Sequence, residues 1–325
     1  MMRLRRLVAA CAAAVFLVLG AGSLPAAAEP PAVPDDVGKL VGAAVDPDTG
    51  TLWLAGDRAD DGVLVGVDDD GQHTELSFAD DLTSVQALAF HDGYLYVGDI
   101  GDENASRDFI VVYRLAETTG GRQSYQAYDL SFSDGPQHAT AMMVSGRGRI
   151  YVITGGEDPG IYNSSLELSR TNVNSLTRVA DAPEGVTDGV FLADGSTIVL
   201  RTAEGLRVIN AFGFDTLATE TLVGAADDEV VAVTQDGALV VGSAAGLRES
   251  AVPTSDVTTT VEPVAPDPEA SSAEPSGSAT DAAPDGADPA EDEGSAPART
   301  GTTVAVVLAL VVAGGAGVST LLLKD

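Results

Sequence analysis

Short segments of alternating or continuous apolar residues run through the middle of this chain, and one pattern recurs five times. Each copy has an apolar segment, a polar turn that contains glycine, and a second apolar segment. A period of two is typical of β-strands, because successive side chains point to opposite faces of a sheet. The pattern therefore predicts five β-hairpins with almost no helix between the two ends of the chain. The repeats begin at Gly42, Gln86, Thr140, Asp188 and Glu229.

Glycine occupies the turn of every repeat, and the spacing of these glycines indicates the architecture. They recur every 42 to 55 residues, at Gly50, Gly93, Gly148, Gly195 and Gly237. This interval is typical of a four-stranded β-propeller blade. Three of the glycines follow Asp, which favours type I′ hairpin turns because both central residues of such a turn need positive φ. Further apolar segments follow most repeats and supply outer strands, among them 63–67, 74–78, 110–115, 126–132, 206–210 and 218–223.

We therefore predict an all-β domain over residues 37–253, a β-propeller of five four-stranded blades that start near residues 42, 86, 140, 188 and 229. The fifth blade is short, and its outer strand comes either from residues 257–261 or from residues 37–41. A β-sandwich is the alternative fold, but it gives no reason for five copies of one pattern.

The N-terminal segment has the plan of a secretory signal peptide. Arginines at positions 3, 5 and 6 precede an apolar run, and small residues end at Ala28. We predict a signal peptide over residues 1–28 and a short linker over 29–36. Cys11 lies in a sequence similar to a lipoprotein cleavage box, but cleavage there leaves too short an apolar stretch. The exported chain then contains no cysteine and no disulfide.

The C-terminal segment predicts a membrane anchor. Residues 303–323 carry no charge, and 21 residues of helix span about 31 Å, enough for a bilayer core. Residues 254–300 are rich in Pro, Ala, Ser, Asp and Glu, which predicts a disordered stalk. The domain is then held on the extracellular face of the cytoplasmic membrane, N-terminus outside, with residues 324–325 as a cytoplasmic tail. Sortase attachment to the cell wall is the alternative, because residues 297–301 resemble a sorting motif.

The chain is strongly acidic, which excludes one class of partner. It has 49 Asp and Glu against 17 Lys and Arg, a formal net charge of −32. Such a surface repels phosphate backbones, so the sequence argues against nucleic-acid binding. The partners that remain are the membrane, through the C-terminal helix, and an extracellular protein or carbohydrate ligand.

The residues at the start of each inner strand are candidates for chemistry, because inner strands line the central channel of a propeller. The polar members of this column, Gln86, Thr140, Asp188 and Glu229, are the candidate ligand-binding residues. Asp188 and Glu229 are also candidate Ca²⁺ ligands, since Ca²⁺ prefers oxygen atoms. Alternatively, the two carboxylates are only solvated at the channel mouth. We predict no catalytic residue and no required cofactor, with Ca²⁺ as the one candidate ion.

A second candidate site follows the second repeat, where Asp99-Ile100-Gly101-Asp102 precedes Arg107. Asp99 and Asp102 are candidate Ca²⁺ ligands. The alternative role is structural, in which both carboxylates cap backbone amides of the following loop and pair with Arg107. The histidines, His73, His91 and His138, have no metal-ligand spacing, and no G-x-S-x-G nucleophile motif is present.

Residues 99–114 resemble a family of secreted, propeller-like proteins of high-GC Gram-positive bacteria. Members of this family carry a D-I-G-D-N motif, then an Arg and a V-Y-R strand, and this chain has Asp99-Ile100-Gly101-Asp102, Arg107 and Val112-Tyr113-Arg114. In this chain Glu103 displaces the Asn of the motif to position 104. Relatives have an acidic D-x-E sequence at two positions where this chain has Ser84-Val85-Gln86 and His138-Ala139-Thr140. The resemblance implies no established reaction. It also implies that this member is degenerate, and that it binds metal poorly if the family's acidic ring holds one.

Two functions follow from these observations. The first is a non-catalytic binding or scaffold module on the cell surface. The alternative is a metal-dependent, hydrolase-like or lyase-like propeller enzyme that uses carboxylates in the channel.

Overall fold

The computed structural model describes residues 32–261. The predicted signal peptide, most of the predicted stalk and the predicted membrane helix at 303–323 lie outside these residues. Within the described part of the chain, no helix is long and apolar enough to cross a membrane. The described residues contain only strands and turns, which confirms the predicted all-β class.

The strands form five consecutive antiparallel modules. Module 1 contains β1 (Gly42–Val45), β2 (Leu52–Ala55), β3 (Val63–Val67) and β4 (His73–Ser77), with the short β8 (Gly121–Arg122) added in parallel to β4. Module 2 contains β5 (Val85–His91), β6 (Tyr94–Asp99), β7 (Ile110–Leu115) and β9 (Tyr125–Phe132). Module 3 contains β10 (Ala139–Val144), β11 (Ile150–Thr154), β12 (Gly160–Asn163) and β13 (Asn174–Asp181).

Module 4 contains β14 (Val186–Phe191), β15 (Thr197–Thr202), β16 (Gly205–Asn210) and β17 (Thr216–Val223). Module 5 contains β18 (Val230–Val233), β19 (Leu239–Ser243) and β20 (Gly246–Ser250). The last strand, β21 (Val257–Thr260), pairs in parallel with β17. Neither segment that we considered for the outer strand of the fifth repeat takes that place: β21 extends module 4, and residues 37–41 form no strand.

The modules are arranged in a ring that closes on itself. The first strands β1, β5, β10, β14 and β18 contact one another in that order, and β18 contacts β1. Five apolar clusters form the core, one at each boundary between consecutive modules. Trp53, 1% exposed, packs in the cluster between modules 1 and 2. The cluster between modules 5 and 1 contains Leu54 and Val230. Each module thus buries both faces against its neighbours, giving a propeller-like, all-β domain.

Strand pairing reinforces the boundary between modules 2 and 3. Modules 2 and 3 share one continuous sheet, because their outer strands β9 and β13 pair in parallel.

The hairpin turns differ in their backbone geometry. Of the three Asp-Gly turns, only Asp92 and Gly93 both have positive φ, as a type I′ turn requires. At the other two, Gly195 and Gly237 alone have positive φ. Those turns are longer than two residues, so the Asp can keep an ordinary conformation.

Candidate functional site

The first strands of the five modules surround a narrow central cavity. Its volume is about 60 Å³, and each first strand contributes apolar side chains. Examples, one from each strand, are Ala44, Leu88, Met143, Val190 and Ala232. A cavity of this size holds a few water molecules at most. Candidate chemistry is therefore at the ends of the channel and not along it.

The strand register changes which residues lie at equivalent positions at the start of the first strands. Gln86 and Thr140 each lie at a β-bulge, an extra residue without a partner on the second strand of the module. In module 4 the bulge residue is Thr187, whereas Asp188 pairs with Arg201. The structure therefore places Thr187, and not Asp188, level with Gln86 and Thr140. Asp188 lies one residue deeper along the channel.

Asp188 is fully buried and links several strands of the ring. Its Oδ1 accepts a hydrogen bond from the N–H of Gly189 at 2.8 Å, and its Oδ2 accepts one from the N–H of Val231 in β18 at 3.0 Å. The N–H of Ala43 in β1 also contributes a hydrogen bond to this carboxyl group. Burial raises the pKa of Asp188 to about 8, although these N–H groups favour the ionised form. Asp188 thus connects β14, β18 and β1 across the channel.

Glu229 lies at the boundary between modules 4 and 5, in an ion cluster with two arginines. Its Oε2 accepts from the Nε of Arg201 at 3.0 Å, and Arg248 donates to both carboxylate oxygens at 2.6 and 2.7 Å. Arg201 is fully buried and also donates to the carbonyls of Gly205 and Ala226. Burial lowers the pKa of Arg201, and the Glu229 carboxylate partly offsets this effect. The hydroxyl of Thr187 donates to the Glu229 carbonyl at 2.7 Å.

Gln86 and Thr140 belong to a polar cluster at the channel end of modules 2 and 3. Gln86 donates from Nε2 to Ser84 Oγ at 2.8 Å, whereas Thr140 Oγ1 is buried without a hydrogen-bond partner. The N–H of Asp102 donates to Nδ1 of His138 at 3.0 Å, so the proton of the neutral imidazole is on Nε2. Gly101 is required here, because a Cβ would lie 2.2 Å from Ser84 Oγ.

Asp99 and Asp102 form a network that fixes the loop after β6. Asp99, 3% exposed, accepts from both terminal nitrogens of Arg107 at 2.9 and 3.2 Å and from the N–H of Ser84 at 2.8 Å. Asp102 accepts from the N–H of Arg107 at 2.7 Å and from Ser106 Oγ at 3.2 Å. Partial burial alone raises the pKa of Asp102, but the hydrogen bonds from Ser106 and Arg107 lower it overall. This is the loop-capping arrangement that we gave as the alternative to a metal site.

The two pairs of candidate Ca²⁺ ligands, Asp188 with Glu229 and Asp99 with Asp102, are each engaged by groups of the protein. Asp188 and Glu229 have separate partners, and Asp99 and Asp102 direct their oxygens to the loop that contains Arg107. Within residues 32–261 no group of three or more His, Cys, Asp or Glu side chains is placed to hold a metal ion. Ca²⁺ takes six to eight oxygen ligands, and the donors present do not fit it.

Sequence reasoning missed the arginines around Glu229 and the role of Thr187. Arg201 carried one signal, because it is a charged residue near the end of the apolar segment 197–202 that becomes β15. A charge in a buried strand needs a buried partner. Its partner is distant in sequence, so the signal indicates a pair without identifying Glu229.

No protein-family model matches the chain, and no curated protein matches it significantly. Among solved structures, a putative gluconolactonase is similar with a TM-score of 0.45 and 14% identity, over 69% of this chain and 77% of that one. A gluconolactonase from Xanthomonas campestris gives 0.42 and 17%, over 66% and 72%. A catalytically inactive virginiamycin B lyase from Staphylococcus aureus with quinupristin gives 0.38 and 15%, over 70% and 74%.

Proposed function

We propose that this protein is a five-bladed β-propeller that acts as a non-catalytic binding or scaffold module on the cell surface. Modules 1 to 5 are the blades in this proposal, and the fifth has three strands. The proposal includes export by the signal peptide at 1–28, the stalk at 254–300, and anchoring on the extracellular face of the membrane by the helix at 303–323. It also keeps the resemblance to the D-I-G-D-N family as a hypothesis.

One observation carries the non-catalytic role: all four candidate carboxylates are engaged by donors of the protein itself. Asp188 accepts from backbone N–H groups, and Glu229 accepts from two arginines. Asp99 accepts from a bidentate arginine, and Asp102 accepts from the N–H of Arg107 and the hydroxyl of Ser106. A metal ion would have to displace these donors and leave buried N–H groups or a buried guanidinium without a partner. That displacement costs several kcal/mol. The carboxylates therefore act as structural links between strands.

Calorimetric and thermal titration of the purified protein with Ca²⁺, Mg²⁺ and Mn²⁺ tests this role. We expect no binding heat and no change in the melting temperature. A melting temperature that rises with Ca²⁺, with the effect absent in Asp102→Asn but present in the control Asp80→Asn, would contradict the proposal. Asp80 is a suitable control because it pairs with Arg122 in an exposed position.

The second candidate function is a hydrolase-like or lyase-like activity, and the polar cluster of Ser84, Gln86, His138 and Thr140 favours it. His138 carries its proton on Nε2, and the Thr140 hydroxyl is buried without a partner. Both side chains lie beside Gly155, and an imidazole can act as a general acid or base toward a group bound next to it. Turnover of lactone or ester substrates that His138→Ala abolishes, and that His73→Ala leaves intact, would establish this function in place of the first.

A further inference from the structure

A wide groove lies at the opposite end of modules 3 and 4 from the polar cluster. It encloses about 560 Å³, within the range of small-ligand sites. Three turns form its walls: residues 145–149 between β10 and β11, residues 192–196 between β14 and β15, and residues 211–214 between β16 and β17. We call this feature the turn groove. Nothing in the proposed structural role of the carboxylates involves it.

The turn groove carries positive charge in a protein whose net charge is −32. Arg147 is exposed and Arg149 half-buried, and within residues 32–261 neither has a carboxylate within ion-pair distance, in contrast to most arginines of the domain. Asp194 also lines the groove, but its carboxylate accepts from the N–H of Ser196 and from the N–H and hydroxyl of Thr197. The two guanidinium groups are therefore available for an anion.

Aromatic side chains lie beside the two arginines. Tyr151 and Phe191 pack against each other with ring centroids 5.1 Å apart, and both line the turn groove. Phe212 is 77% exposed at the tip of its turn. Asn210 holds that turn, because its Oδ1 accepts from the N–H groups of Phe212 and Gly213, each at 2.9 Å. A fixed, exposed aromatic ring contributes little to the core, but it offers a flat apolar face to a ligand.

We infer that the turn groove binds a saccharide that bears a carboxylate, such as an oligosaccharide of uronic acids. The guanidinium groups of Arg147 and Arg149 bind the carboxylate, and the ring of Phe212 stacks on the apolar face of a sugar ring. This inference deepens the proposed binding function and rests on it.

An acidic peptide is the competing anionic ligand, and the topology disfavours it. Extended peptides commonly bind by adding a strand to a free sheet edge. Beside the turn groove, β11 pairs with β10 and β12, and β15 pairs with β14 and β16, so neither has a free edge. The free edges of β10 and β14 face the other first strands around the narrow channel and not the groove. The groove is walled by turns and side chains, which suits a compact, rigid sugar better than an extended backbone.

Calorimetry of the full-length protein with trigalacturonate, and with trigalactose as its neutral counterpart, tests the inference. We expect trigalacturonate to bind and trigalactose to bind at least about tenfold more weakly, since charge-assisted hydrogen bonds are lost. Arg147→Ala and Phe212→Ala should each weaken trigalacturonate binding several-fold, and the Arg147→Ala/Arg149→Ala double variant by about tenfold or more. Arg58→Ala removes an exposed arginine of module 1 and should leave binding unchanged. An unchanged melting temperature shows that the variants are folded.

Several outcomes would overturn the inference: no heat with trigalacturonate, equal binding of both sugars, or full binding in the Arg147→Ala and Phe212→Ala variants. Binding of a poly-glutamate peptide instead, lost in the arginine variants, would overturn the sugar class but leave the binding function intact. Conversion of bound trigalacturonate to a new product would retain the ligand and contradict the non-catalytic function.

Discussion

The Asp188 carboxylate accepts a 3.0 Å hydrogen bond from the backbone N–H of Val231, which lies 43 residues further along the chain and one module further round the ring. The same carboxyl group also contacts the N–H of Ala43, across the channel. One side chain thereby joins the fourth, fifth and first modules. Because it is fully buried, its protonation state affects the stability of the whole ring.

We expect the stability of the domain to include a contribution from Asp188 that decreases between about pH 4 and pH 8. The pKa of about 8 in the folded state lies above the unfolded value of about 3.9, so the folded state binds the proton more tightly in this range. The contribution is complete below the unfolded pKa and is lost as the pH rises through the folded pKa. Its slope is about 1.4 kcal/mol per pH unit within that range.

The variant Asp188→Asn isolates this contribution. Its amide group places an N–H₂ opposite a backbone N–H, so we expect it to be less stable than the wild type at pH 5. The difference should shrink or reverse at pH 9, where the wild type has a buried charge and the variant has none. Urea unfolding of both proteins at the two pH values measures it. A difference that does not change with pH would contradict the raised pKa.

The buried ion cluster predicts a large effect of Glu229→Gln. The substitution leaves the fully buried Arg201 without its carboxylate partner, and we expect a loss of about 3–5 kcal/mol in the free energy of unfolding. Glu75→Gln is the control, because it removes the partner of Arg58 in an exposed, solvent-screened pair and should cost far less than Glu229→Gln. Similar losses in the two variants, measured by urea unfolding, would be inconsistent with a buried, partner-dependent Arg201.

Arg107→Met should loosen the loop that follows β6. Arg107 donates to both oxygens of Asp99 and to the Gly101 carbonyl, so its removal leaves a nearly buried carboxylate without its cation. We expect a loss of about 2–3 kcal/mol and faster amide hydrogen exchange in residues 100–109. Arg122→Met breaks the exposed pair with Asp80 and should leave exchange in that loop unchanged. Unchanged exchange in Arg107→Met as well would show that other contacts hold the loop.

Close approach of two inner strands makes Gly42 sensitive to a single methyl group. A Cβ at Gly42 would lie 2.6 Å from the backbone nitrogen of Leu88, so β1 and β5 would have to separate. We expect Gly42→Ala to destabilise the domain by at least about 1–3 kcal/mol. Gly146→Ala is the control, because a Cβ there meets no atom within 4 Å and should change stability by less than about 0.5 kcal/mol. A neutral Gly42→Ala would mean that the two strands can move apart freely.

The hairpins could be predicted from sequence because each depends on neighbouring residues. The two-residue period and the turn glycines identify strand pairs such as β5–β6 within a few positions, and the predicted outer segments 63–67 and 110–115 coincide with β3 and β7. Pairings between distant segments carry no such local signal. The parallel contact of β9 with β13, and the position of β21 beside β17, depend on the packing of modules that are separate in sequence.

The candidate residues were only partly predictable for a similar reason. Asp99, Asp102 and Arg107 are close in sequence, so their mutual contacts could be anticipated from spacing. Whether Asp188 or Thr187 lies level with Gln86 depends on a single bulge, and one extra residue in a strand leaves no clear mark in an apolar pattern.

The three-strand fifth module has a consequence for the order of folding. Within residues 32–261 no strand pairing joins modules 5 and 1. This boundary is held by the side chains of its apolar cluster, by the exposed ion pair of Lys39 with Asp228, and by the carboxyl group of Asp188. Most hairpins can form from nearby residues as the chain emerges during synthesis, whereas the contact between β1 and β18 joins the two ends of the domain. Closure of the ring at the boundary between modules 5 and 1 is then the last and slowest step of folding. Substitutions at this boundary should slow folding more than substitutions within any one hairpin.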